Sequence, residues 1–88
     1  MVNLGNFLKA KRELAGLEQV KVAKALGHGS SQFISNQERG VSLPPANSIR
    51  TIAKLYNITE EDLLTQIYAQ ISSNAVEKYK EQFESVSQ

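Results

Sequence analysis

The stretch "GLEQVKVAKALGHGSSQFISNQERG", residues 16–40, holds two short amphipathic segments joined by a glycine-flanked turn. The first runs from about Glu18 to Leu26, with Val22, Ala23 and Leu26 on one side and Gly27 where a left-handed stop residue is expected. The second spans about Ser31 to Arg39, with Ser30 as its capping hydroxyl and Gly40 closing it. At about 100° per residue, Ser31, Ser35, Arg39, Gln32 and Asn36 share one polar arc, while Phe33, Ile34, Gln37 and Glu38 occupy the other side. Hydroxyls and short amides are weaker helix formers than Lys, Glu or Ala, so helicity does not explain this water-facing arc. These side chains do suit nucleobases: Gln and Asn pair with an adenine edge, Arg with guanine, and Ser with base or phosphate, in a major groove that admits one helix.

Helical spacing continues on both sides. Upstream, Asn3 caps a helix with an inner row of Leu4, Phe7, Leu8, Lys11, Leu14 and Ala15, and Gly16 ends it. Downstream, Pro44 and Pro45 force a loop and can begin a helix whose stripe is Ile49, Ile52, Ala53 and Tyr56, stopped at Asn57. Thr59 then caps a fifth helix with Glu60, Glu61 and Asp62 in its first turn, where the helix dipole favours negative charge. Nothing reads as strand, and there is no internal repeat. The predicted fold class is all-α, a five-helix unit with a helical C-terminal extension.

Beyond that unit the apolar spacing persists through Leu64, Ile67, Tyr68 and Ile71, and resumes with Ala75, Val76, Tyr79 and Phe83. Either one helix continues, or Asn74 caps a sixth with Glu77 reaching back to it, and the second is favoured. The division is placed at residues 1–71 and 72–88. An apolar stripe must be covered, so Ile71, Ala75, Val76, Tyr79 and Phe83 are expected at a dimer or partner interface. Folding back onto the first and fifth helices is the alternative.

Among its 88 residues the chain has no cysteine, which excludes disulfides, thiolate metal sites and a cysteine nucleophile and suits a reducing cytosol. Its apolar runs fall far short of the roughly 20 residues of a membrane span, and the N-terminus lacks a signal-peptide layout, so a cytoplasmic protein is expected. The formal net charge is +1, but it is unevenly spread. Residues 1–54 carry eight basic and three acidic groups, whereas residues 55–88 carry two basic and six acidic ones. The basic front therefore suits a phosphate-bearing partner, although solvated helix faces account for such a pattern as well.

Catalysis has no motif to rest on. His28 stands alone in a glycine-flanked turn, as a solvated loop residue or a phosphate contact. Glu60, Glu61 and Asp62 are consecutive, point in different directions, and read as helix capping in preference to a metal site. No phosphate-cradling GxxxxGK[ST] loop is present. Neither enzyme activity nor a cofactor or metal is expected.

Over about residues 4–66 the chain resembles the lambda repressor-like helix-turn-helix domains, also called XRE or Cro type. The resemblance rests on "GLEQVKVAKALG", "SSQFISNQERG", Pro44 and "IRTIAKLYNITEEDLL", with Gln19 opening the second helix, Ala23 four before Gly27, and Ile34 four before Glu38. It implies that Gln19, Ser30, Arg39 and the backbone at Gly40 meet phosphate, and that Ser31, Gln32, Ser35 and Asn36 meet base edges. It also implies a structural ion pair between Arg12 and Glu38. Four features depart from the family pattern: a turn "GHGSS" one residue longer than usual, Glu18 in place of a hydroxyl cap, Gln37 at a usually apolar position, and a loop "VSL" without basic residues. Gln37 either hydrogen-bonds inside or lies at a wet helix edge.

The function expected from this resemblance is that of a transcriptional regulator, by default a repressor, which binds double-stranded DNA at a near-palindromic operator as a homodimer. The alternative is a protein-interaction module, such as an antitoxin or regulatory adaptor, that uses the C-terminal helix to bind a different protein.

Overall fold

Asn3 is extended and its side-chain oxygen accepts from the Asn6 N–H at 2.7 Å, so the first helix begins at its expected cap. The computed structural model describes residues 3–86. Among these the regular elements are all helical: α1 (Leu4–Leu14), α2 (Gln19–Ala25), α3 (Gln32–Glu38), a 3-10 turn (Ala46–Ser48), α4 (Ile49–Tyr56), α5 (Glu60–Tyr68) and α6 (Ser73–Val86). The two prolines precede the 3-10 turn, which feeds directly into α4. Thr59 Oγ1 accepts from the Asp62 N–H at 3.0 Å and starts α5, while Asn57 stops α4 in the left-handed region at φ 59°.

The core gathers one row from each helix. Leu4 and Leu8 of α1 meet Val22 and Ala23 of α2, Ile34 of α3, Ile49, Ile52 and Tyr56 of α4, and Leu63 and Ile67 of α5. Each large side chain removed from water in this way contributes about 1.5–3 kcal/mol. Leu14 departs from the expected inner row and is 79% exposed. The buried row on α1 is Leu4, Leu8 and Arg12, and Leu14 lies about 200° round the axis from Arg12.

The helix breaks after Tyr68, but the cap of α6 is not Asn74. Ser72 Oγ accepts from the Ala75 N–H at 3.3 Å, and the Val76 N–H bonds the Ser72 carbonyl at 2.9 Å. Asn74 lies inside the helix. A hydroxyl two residues earlier captures a free N–H of the first turn, and the helix starts there.

The extension lies against its own chain, on the 3-10 turn and on Tyr68 of α5. Tyr79 is buried in the common core, and its hydroxyl donates to the Pro44 carbonyl at 2.5 Å. Its ring meets Tyr68 edge to face at 6.3 Å, with Lys80 Nζ 5.6 Å from the Tyr68 centroid. Ile71 and Phe83 are half-buried against the same cluster, and Ala75 and Val76 are half-buried beside Tyr79. Tyr79, expected at a partner interface, is thus covered within the molecule.

Candidate nucleic-acid interface

Glycine geometry aims α3. After α2, Gly27 takes φ 82°, its N–H donates to the Lys24 carbonyl at 3.0 Å, and the His28 N–H reaches the Ala23 carbonyl at 2.8 Å. This paired closure turns the chain sharply. His28 stacks on Phe33 with ring centroids 4.1 Å apart, so the exposed turn is pinned to α3 and the residue is not simply solvated. Ser30 is a weak cap, its Oγ 3.4 Å from the Gln32 N–H, and α3 begins one residue later than expected.

Ile34 is fully buried and seats α3 on the core. Gln37 does not lie at a wet helix edge: it is 2% exposed, and among the described residues its Nε2 has no hydrogen-bond partner. The opposite arc faces outward, with Gln32 and Arg39 exposed and Ser31, Ser35 and Asn36 half-buried. Its long side chains are already tied together. Asn36 Oδ1 accepts from Gln32 Nε2 at 2.9 Å and from Arg39 Nη2 at 2.7 Å. Gly40, at φ 80°, ends the helix exposed beside Arg39.

A second cluster holds α3 against α1 and α2. Arg12 Nε donates to Glu38 Oε2 at 2.6 Å and Nη2 to Oε1 at 3.1 Å, a two-pronged pair whose partners are almost wholly buried. Arg12 Nη1 donates to the Leu17 carbonyl at 2.8 Å, joining the turn after α1 to the same carboxylate. The Glu38 hydrogen bond raises the Arg12 pKa above its ordinary value, against the opposing pull of burial. Gln19 Nε2 donates to Glu38 Oε1 at 3.0 Å. The expected phosphate ligand is therefore tied to the end of α3, with its remaining N–H and its oxygen left for other partners.

Sequence reasoning missed Gly5. A Cβ at that position would overlap the Glu38 carbonyl oxygen and lie 2.9 Å from its carbon, so α1 and the last turn of α3 meet backbone to backbone. The signal was present, because a glycine inside a helix costs about 1 kcal/mol relative to alanine and calls for a packing reason.

A family model described as a helix-turn-helix domain matches residues 3–65. The chain belongs to the helix-turn-helix domain family. The match covers α1 to most of α5 and agrees with the lambda repressor-like resemblance. No curated protein and no solved structure matches the chain. Both α2 and α3 lie within the matched residues, and membership supports DNA as the partner class. Among the described residues no group of His, Asp and Glu could hold a metal ion, and no helix is long and apolar enough to cross a membrane.

Proposed function

We propose that the protein is a sequence-specific transcriptional regulator that lays α3 in the major groove, with repression by occluding a promoter as its mode of action. The observation that carries this reading is the outward arc of Gln32, Asn36 and Arg39, a connected set of amide and guanidinium groups on a helix whose other side is anchored by Ile34. Polar arcs of this composition offer hydrogen-bond patterns that match base edges. Ser31 and Ser35 flank the arc as lesser base contacts. Gln19, Ser30, Arg39 and the Gly40 backbone supply phosphate contacts that set register without reading sequence.

The regulator acts as a homodimer on a near-palindromic operator, with its two α3 helices about 34 Å apart. With Tyr79 buried in its own chain, the apolar surface offered to a second copy is the half-buried Ile71, Ala75, Val76 and Phe83 together with the groove that Ile71 borders. Val41 is 65% exposed and Leu43 37%, and both border an open groove shared with Ile71. The reading in which the tail captures a different polypeptide is less favoured, since Tyr79 is buried and Phe83 half-buried.

Selection from randomised duplexes at moderate ionic strength tests the proposal. An enriched word is expected, and Gln32→Ala should cost about 1–3 kcal/mol per half-site while relaxing preference at one base position. Recovery of no enriched word, or uniform weakening across all sequences by Gln32→Ala, contradicts it.

A further inference from the structure

The three polar side chains on the outer face of α3 do not offer the groove equal chemistry. Arg39 carries only donors, so the Asn36 atom 2.7 Å from Arg39 Nη2 has to be the amide oxygen. That fixes which way the Asn36 amide points. Gln32 meets the same oxygen at 2.9 Å and must donate to it through Nε2. A carbonyl oxygen has two lone pairs, and here both are taken. Asn36 keeps its two Nδ2 N–H groups, neither of which donates to another group among the described residues. Gln32 keeps one N–H and its oxygen.

We propose that Asn36 reads its base as a donor only, and so selects a base with a keto oxygen, guanine before thymine, while Gln32 alone retains the donor–acceptor pair that suits adenine. Composition treats the two amides alike, since either can pair bidentately with adenine. Their hydrogen bonds separate them. Adenine presents N7 as acceptor and N6 as donor, and an amide without a free oxygen leaves N6 unsatisfied in a desolvated interface. Guanine presents N7 and O6, both acceptors, to the two N–H groups of Asn36 and to the unused donors of Arg39. Thymine presents one acceptor, O4. Arg39 is thereby a positioning residue for Asn36 in addition to any phosphate contact.

The inference rests on the reading that α3 meets base edges, and its test separates the two. Single base-pair substitutions of the selected duplex are compared for the wild type, for Asn36→Asp and for the double variant Gln32→Ala with Arg39→Ala. Asn36→Asp keeps the oxygen that Gln32 and Arg39 bind and replaces the outward NH₂ with an acceptor. Its added negative charge weakens all duplexes together, so ratios between bases carry the result. At one position the wild type should prefer guanine over adenine by about tenfold, and Asn36→Asp should reverse the order towards cytosine or adenine, whose edges carry an amine. The double variant releases Oδ1 and should lessen the discrimination against adenine. An adenine preference at the Asn36-dependent position, or a base profile unchanged in Asn36→Asp, overturns the donor assignment while leaving sequence-specific binding intact. A selection that enriches no word overturns the underlying reading and this one with it.

Discussion

Glu38 shows how one carboxylate determines the placement of the whole outward face. It accepts from Arg12 on α1 and Gln19 on α2 while sitting on the last turn of α3, so its loss leaves a buried guanidinium without its charge partner. Removing one member of a buried pair is far more costly than the pair is worth, so Glu38→Gln should lower stability by about 3 kcal/mol. A denaturant titration with unchanged slope reads this, and a midpoint equal to wild type would show that the pair is incidental. Gly5→Ala acts on the same contact through the backbone. The added methyl meets the Glu38 carbonyl, which cannot rotate away, and about 1–3 kcal/mol should be lost despite alanine's better helix propensity. A Gly5→Ala variant at least as stable as wild type would mean that α1 shifts freely on α3.

At the scale of elements, α6 decides what remains of the chain's apolar surface. Tyr79→Phe keeps the ring and deletes the hydroxyl that donates to Pro44, leaving that carbonyl without this donor, so about 1 kcal/mol of stability should go. The thermal midpoint measures it, and no change would detach α6 from the fold. The sequence made the helices legible because their boundaries are local chemistry: Asn3 and Thr59 cap as read, and Gly16, Gly27, Gly40 and Asn57 all take positive φ. What it did not reveal was where α6 would lie. Spacing identifies a stripe that needs covering, but what Tyr79 meets is the Pro44 carbonyl of the proline loop and the Tyr68 ring at the end of α5. The same limit applies to Asn36 and Gln19. Helical geometry placed the arc and the family resemblance implied the Arg12–Glu38 pair, while the hydrogen bonds that occupy the Asn36 and Gln19 amides depend on rotamers and neighbours that no periodicity encodes.

Across the whole molecule, two buried phenols link stability to alkaline pH. Burial is the main cause that raises Tyr56 from 10.0 to about 12, with the Glu38 charge adding to it, and burial moves Tyr79 in the same direction. Folded-state pKa values above the unfolded ones mean that this stabilisation is complete below pH about 10 and is lost as pH rises towards 12. Thermal midpoints should therefore fall steeply over that interval, and less steeply in Tyr56→Phe. A flat profile would place the Tyr56 hydroxyl in water. Sedimentation tests the proposed second copy at the same scale: a dimer with α6 intact fits an interface near Val41 and Leu43, whereas a monomer even with operator bound contradicts it.

The central claim is that the amide-bearing side of α3 touches bases. It is tested most directly by following the side-chain NH₂ resonances of Gln32 and Asn36 during titration with a selected duplex. Both should shift and gain protection from solvent exchange in the specific complex, and not with an unrelated duplex of equal length. Unmoved NH₂ signals, with changes confined to backbone amides elsewhere, would contradict it.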